Sequence, residues 1–285
     1  MSKPKILVTG ATGTTGGEVV RQLAEGGVQA RALVRDVSKI DRAAYSSIEF
    51  VTGDLGSAET LVAAMQGIDA VYLNVVPGPN ALDQVDNVIA AAKHAAVAKL
   101  VKLSGLYASP ASPSAIIRMH SKADDRVRAS GIGYTILRAN SFHQNILGQL
   151  SGIKETGTFY LPLGDAHQSL IDVVDIAAIA VEAMTTNAHD GQTYDLTGPQ
   201  SLTFHDVAIS LSNARGALVT YVPISRAQFE ETLRSYGTPT AAANDLGELF
   251  DVFASGIYAD VTGEAKSILG RAPGSFDAFS ATLFN

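Results

Sequence analysis

Apolar residues in this chain fall into short runs of four or five, each followed by a longer stretch in which they recur every three or four positions. The runs near 5–8, 30–34, 48–51, 70–73, 100–103 and 134–137 predict strands. The stretches near 16–26, 57–66, 81–96 and 115–130 predict amphipathic helices, because residues three and four apart share one helix face. This alternation is the pattern that builds a parallel sheet through right-handed crossovers. The expected fold is therefore α/β, a doubly wound Rossmann sheet whose ligand lies beyond the carboxyl ends of the strands, where the strand order reverses. After about residue 150 the alternation loosens into a turn-rich segment over 157–164, a helix over 173–184, a strand over 192–196 and mostly helical sequence to 285. The main domain is expected over 1–150, with segments near 170–197 returning to it. A smaller, mostly helical cap over 151–285 is expected to supply much of the substrate pocket.

Composition narrows the classes. The 285 residues include no cysteine, which excludes disulfides, thiolate catalysis and cysteine metal sites. The net charge of −7 is spread along the chain, whereas nucleic-acid binding needs clustered Lys and Arg, so no nucleic-acid partner is expected. No apolar stretch reaches the roughly 20 residues that cross a bilayer, so no membrane span is expected. Lys3-Pro4-Lys5 leads at once into the first strand without a signal-peptide pattern, and the expected location is cytoplasmic.

The most specific signal is Thr9-Gly10-Ala11-Thr12-Gly13-Thr14-Thr15-Gly16, between the first strand and the first helix. A strand, a tight glycine turn and a helix start hold a dinucleotide pyrophosphate against backbone N–H groups and the positive end of the helix dipole. Gly10 permits the turn, Gly13 lets backbone approach the phosphates, and Gly16 lets the helix pack closely. Thr15 lies in the same loop and is counted with the cofactor contacts. At the end of the second strand, Arg35 takes the place that decides between a ribose hydroxyl and a 2′-phosphate, which favours NADP(H). Thr12 or Thr14 is placed to add a hydroxyl to that phosphate. The G-x-x-G-x-x-G spacing resembles the short-chain dehydrogenase/reductase superfamily, in its extended and atypical branches. That resemblance implies that Asp54-Leu55 flank adenine and that Asn74-Val75 run beneath the pyrophosphate and the nicotinamide-side ribose.

The same resemblance places Ser104, after the fifth strand, where the superfamily keeps a Ser or Thr that orients the substrate carbonyl. Its usual Tyr-x-x-x-Lys pair is incomplete here. Arg118 stands four residues before Lys122, the position implied to hold the nicotinamide ribose, and His120 stands four before Asp124. Residues four apart share a helix face, so one of these two pairs points into the site. His120 with Asp124 would orient an imidazole to donate a proton, and Tyr107 is a second phenolic candidate for catalysis or for the substrate wall. His94, His167, His189 and His205 show no metal-ligand spacing, and no metal is expected.

His120-x-x-x-Asp124, the segment Ser130-Gly131-Ile132-Gly133-Tyr134-Thr135-Ile136-Leu137-Arg138, and Asn140-Ser141-Phe142-His143-Gln144-Asn145 resemble the NmrA-like atypical branch, with Asp124 in place of a Glu. Weaker likeness runs through 169–177 and 194–199 to 270–273. The resemblance implies that Phe142, His143 and Asn145 lie beside the nicotinamide and line the substrate pocket. It also implies an NADPH-dependent reductase of the quinone or dye type. Without the phenolic acid, conjugated acceptors are favoured over simple ketones, because hydride addition leaves them as delocalised anions that hydrogen-bond donors or water can manage. The expected partner is a small aromatic or conjugated substrate, and the expected assembly a monomer or homodimer. The alternative within the same branch is a non-catalytic NADP-binding redox sensor.

Overall fold

Short β-branched and aliphatic runs form strands when both faces of the sheet are covered, and the strand assignments follow that rule. The computed structural model describes residues 4–39, 45 and 47–284. In it, β1 (Ile6–Val8), β2 (Ala30–Val34), β3 (Ile48–Thr52), β4 (Ala70–Leu73), β5 (Lys99–Gly105) and β6 (Gly133–Ala139) coincide with the first six apolar runs. With β8 (Gln192–Leu196) they make one parallel seven-stranded sheet in the order β3-β2-β1-β4-β5-β6-β8. This is the doubly wound Rossmann arrangement. The order reverses between β1 and β4, and a hydroxyl joins the two strand ends there. Thr9 Oγ1 donates to the Tyr72 carbonyl at 2.9 Å and accepts from the Asn74 N–H at 2.9 Å.

The chain forms two compact units. The first comprises Met1–Ala108, Met119–Arg138 and Ile176–Tyr194. It contains α1 (Thr14–Glu25), α2 (Ala58–Ala64), α3 (Ala81–His94) and most of α4 (Ala115–Arg128) and α6 (Val173–Thr185). One core cluster packs Leu61 and Ala64 of α2, Val85, Val88 and Ile89 of α3, and Ala123 and Val127 of α4 with Leu7, Val71, Leu73 and Leu100 of the sheet. Three cations are buried in its strands, and each is satisfied. Arg31 reaches Glu49 and the Ala64 and Gln66 carbonyls, and Lys99 meets Asp190 and the Ala183 and Thr186 carbonyls at the end of α6. Lys102 belongs to the cluster described below. No helix among the described residues is long and apolar enough to cross a membrane.

The second unit comprises Ser109–Arg118, Ala139–Asp175 and Asp195–Asn285. Its core gathers Phe159, Phe204, Leu211, Tyr221 and Phe276. It contains helices α5 (Leu150–Thr156), α7 (Phe204–Arg215), α8 (Arg226–Ser235), α9 (Thr240–Ala254), α10 (Glu264–Leu269) and α11 (Phe276–Ser280) and a two-stranded parallel sheet of β7 (Thr158–Leu161) and β9 (Thr220–Pro223). Neither strand is among the expected elements. β7 lies inside the segment read as turn-rich, because Gly157 and Gly164 flank four residues whose only ladder partner is about 60 positions away. Asn140 pins this unit together: its amide donates to Ser169 Oγ and the Tyr258 carbonyl, while Ser169 Oγ donates to the Asp260 carbonyl at 2.7 Å.

Gly198 passes so close to the Leu170 carbonyl that a Cβ would sit 1.9 Å from its oxygen. Gly198→Ala is therefore expected to cost about 4 kcal/mol or more, the range of severe backbone overpacking. Chemical denaturation of the variant measures it, and a midpoint equal to that of the parent chain would refute the close approach.

Candidate active site

At the strand-order reversal the glycine loop turns sharply, with Gly10 at φ +62° and the Gly13 N–H donating to the Gly10 carbonyl at 2.9 Å. A Cβ at Gly16 would lie 2.2 Å from that same carbonyl oxygen, so the loop closes only with glycine at 16. Gly10, Thr12, Gly13 and Thr14 are exposed on the loop. Helix α1 starts from Gly13 with no side-chain cap and no acidic residue in its first turn. Its leading N–H groups and dipole are left for an anion, which is the chemistry a pyrophosphate requires. Thr15 departs from its expected role: it is buried, and its hydroxyl accepts from the Asn74 amide at 2.9 Å, so it ties the loop to the end of β4.

Arg35 is exposed beyond β2 and has no hydrogen bond or ion pair among the described residues. Asp36 turns back to take the Ser38 N–H and hydroxyl. Asp54 is exposed past β3 and accepts the Gly56 N–H at 2.7 Å, while the Leu55 carbonyl is held by the Asn87 amide at 3.0 Å. Val75 is buried after Asn74. The exposed glycine cradle, the uncapped helix and an unpaired guanidinium at the end of β2 together fit a dinucleotide carrying a 2′-phosphate.

At the carboxyl ends of β5 and β6 lies a cluster that the sequence reading only partly assembled. The Asp124 side chain, on α4, is 0 % exposed. Its Oδ1 accepts from Lys102 Nζ at 2.9 Å and Ser104 Oγ at 2.7 Å, and its Oδ2 from Arg138 Nε at 2.9 Å. Burial alone would raise the Asp124 carboxyl, but Lys102 and these hydrogen bonds outweigh it and hold it below the ordinary carboxylate range. The Ser104 hydroxyl proton is thus committed to a carboxylate, which leaves Ser104 only lone pairs to offer a ligand. No His120–Asp124 hydrogen bond is formed; the carboxylate is held by Lys102, Ser104 and Arg138 instead. His120 is pushed down to about 3, chiefly by burial and then by neighbouring Lys102, so its imidazole is neutral at physiological pH. Lys102 and Arg138 were absent from the expected site. The signal for them is a cation inside each of two apolar strands, which must find a buried anion.

Of the two helical pairs, His120 and Asp124 face inward. Lys122 is exposed, two residues from each and so about 200° around the helix, and it does not join them. Arg118 spends its guanidinium on the Ser112 and Pro113 carbonyls. Tyr107, just past β5, is half-buried and sits at φ +54°, a conformation a bulky residue adopts only under external constraint.

In the second unit, Phe142 is half-buried and bridges to Ile171, and Asn145 is exposed with its amide on Ser141 Oγ. His143 is not open to a ligand. It is 1 % exposed, its Nε2 donates to the Leu170 carbonyl at 3.0 Å, and its ring lies edge-on to Phe276 at 5.2 Å. The ring turns inward because Phe276 and Phe279 of α11 supply its aromatic surroundings. Gln144 braces α6, donating to Asp172 and accepting the Val173 N–H, while Asp172 accepts the Val174 N–H. Asp175 instead receives Arg271 and the Gly274 N–H. Among the described residues no group of three or more His, Asp or Glu side chains is placed to hold a metal ion.

Comparison with known proteins agrees with this geometry. Residues 10–187 match a family model described as NAD(P)H-binding. The chain is 37 % identical over 275 residues to an NAD(P)H azoreductase of Xenophilus azovorans, covering 96 % of each chain. It is 31 % identical over 286 residues to quinone oxidoreductase 2 of Escherichia coli, covering 98 % of this chain and 99 % of the other. The crystal structure of the NADPH-dependent quinone oxidoreductase QOR2 of E. coli, complexed with NADPH, superposes with a TM-score of 0.87 at 29 % identity, over 98 % of this chain and all of that one.

The neutral imidazole sets a pH dependence. The folded pKa of His120 lies below its unfolded value of about 6.5. Between about pH 6.5 and 3 the unfolded chain therefore binds a proton that the folded chain does not, and stability falls as the pH drops through this window. Asp124, held low, adds a loss that begins only near its ordinary pKa of about 4. Urea midpoints measured from pH 7 to pH 5 should fall less steeply for His120→Gln than for the parent chain. Parallel profiles would show that the ring is not held neutral.

Proposed function

The chain belongs to the NAD(P)H-binding family, and we propose that it reduces quinone-like or azo-type conjugated small molecules with NADPH. It is an NAD(P)H-dependent reductase of the atypical short-chain dehydrogenase/reductase type. The choice of conjugated acceptors rests on one observation above all: at positions 104, 118 and 120 no acid is available near neutral pH. Position 118 carries a guanidinium bound to loop carbonyls, the Ser104 proton is committed to Asp124, and His120 is neutral. Reduction of a simple ketone develops alkoxide charge that needs a proton in the transition state. Azo and quinone reduction, the activities for which two similar proteins are named, spread the incoming charge over a π system.

The cofactor, when bound, supplies the hydride. In this reading the Gly10–Gly16 loop and the start of α1 hold its pyrophosphate, and Thr12 or Thr14 with Arg35 take the 2′-phosphate. Asp54, Leu55 and Val75 flank the adenosine and the nicotinamide-side ribose. Tyr107, held at its positive φ, offers a ring to a flat acceptor.

Absorbance at the reduced-nicotinamide band, followed with a panel of quinones, azo dyes and simple ketones, tests this reading. Turnover is expected with the first two classes and little with the third. Ketone turnover that disappears in Tyr107→Phe would assign an unexpected phenolic acid. Tight NADPH binding without oxidation by any acceptor would favour the redox-sensor alternative.

The cofactor preference has its own test. Arg35→Ala is expected to weaken NADPH binding by about 10- to 100-fold, the loss of a charge-assisted phosphate contact, and to leave NADH binding unchanged. Equal affinity of the parent chain for the two cofactors in a fluorescence titration would overturn the assignment of Arg35.

A further inference from the structure

Asp124 meets two cations, and it meets them unequally. Its Oδ1 is filled by Lys102 and Ser104, so Arg138 reaches the carboxylate through Nε alone, and the two-pronged pairing common between arginine and carboxylate is blocked. A guanidinium has five N–H donors. With one used on Asp124, the other four have no hydrogen-bond partner among the described residues. The Arg138 side chain is 18 % exposed, next to a carboxylate that is 0 % exposed. One buried anion beside two cations leaves a formal excess of one positive charge at the carboxyl ends of β5 and β6. That is the end of a doubly wound sheet at which ligands bind. A structural ion pair would close on itself, whereas this one leaves its outer donors open.

We propose that Arg138 is an acceptor-binding residue whose guanidinium takes up the negative charge a conjugated substrate acquires on reduction, with Asp124 as its positioning residue. The inference rests on the reductase reading above. Hydride uptake brings the acceptor one hydrogen and two electrons while the nicotinamide is oxidised. A quinone then carries one negative charge on oxygen until a proton arrives from water. Ser104 cannot donate to that oxygen, because its proton is on Asp124. Donors fixed in advance where charge develops are the largest single contribution in many such sites, and Arg138 is fixed by a carboxylate that cannot move into solvent. The neighbouring charged groups do not compete for it. Lys102 is turned to Asp124 and the Leu103 carbonyl, and Arg128 to Asp125 and Thr193.

Two measurements on the full chain test the proposal. The first is steady-state quinone reduction by Arg138→Met, expected to lose about 100-fold in kcat, the effect of removing one preorganised donor, with quinone KM and NADPH affinity unchanged. Asp124→Asn is expected to show the same split, with Asp124→Glu restoring part of kcat. The second needs no turnover: 4-nitrophenol is titrated by absorbance in the presence of the protein and NADP⁺. The parent chain should bind the phenolate and lower the phenol pKa by about one unit or more, as an opposite charge within a few ångströms does, and Arg138→Met should abolish that shift. If Arg138→Met does not fold, Arg138→Gln, which also removes the charge, replaces it in both measurements with the same losses expected. Parent-like kcat in a folded, NADPH-binding variant, or a nitrophenol shift that survives the substitution, overturns the proposal. If the parent chain reduces no acceptor yet still shifts nitrophenol through Arg138, the reductase reading fails and the anion site stands.

Discussion

The shape of the glycine loop depends first on the hydroxyl of Thr9. It donates to the carbonyl of Tyr72, near the end of β4, and accepts the Asn74 N–H just beyond that strand, so the ends of β1 and β4 are locked where the strand order reverses. A doubly wound sheet opens a crevice at that place because successive crossovers leave in opposite directions. The glycine turn, the uncapped start of α1 and the Thr15–Asn74 contact all hang from this lock. A threonine with both hydrogen-bonding capacities used in the interior is a stiff hinge post, and it is why a loop with three glycines holds one shape.

The first unit was legible in the sequence because each element is decided locally. Buried parallel strands read as short aliphatic runs, and Ile6–Val8, Ala30–Val34 and Ala70–Leu73 have no polar position to confuse the period, apart from Arg31. The second unit was less legible. β7 and β9 pair across some 60 residues, and nothing near Thr158–Leu161 announces a partner at Thr220–Pro223. Helix α5 and the 3-10 turn over His143–Gln149 follow from Ile146 and Ile153 reaching a core built later in the chain. Tertiary burial decides such segments, and local periodicity does not carry that information.

The candidate site divides the same way. Glycines announce themselves by spacing, since backbone geometry and close approach leave no other residue possible at Gly10 and Gly16. Side chains that act through partners do not. Helical spacing correctly put His120 and Asp124 on one face, yet could not show that Lys102, Ser104 and Arg138 would claim both oxygens of Asp124. His143 looked like a pocket residue from its place after β6 and is instead enclosed by the aromatic residues of α11. Its surroundings come from residues more than 130 positions away.

The order in which the two units share the chain has a consequence for biosynthesis. The polypeptide passes from one unit to the other after residues 108, 118, 138, 175 and 194. The last strand of the main sheet is therefore not complete until residue 196 has been made. At typical elongation rates that is roughly 10–40 s after initiation, and ribosomal exit comes later still. During this interval β6 is an exposed edge with unpaired N–H and C=O groups, the kind of surface that recruits other strands. The nascent chain is thus most vulnerable to misassociation in an interval when its glycine loop, whose lock needs the chain only as far as Asn74, is already in place.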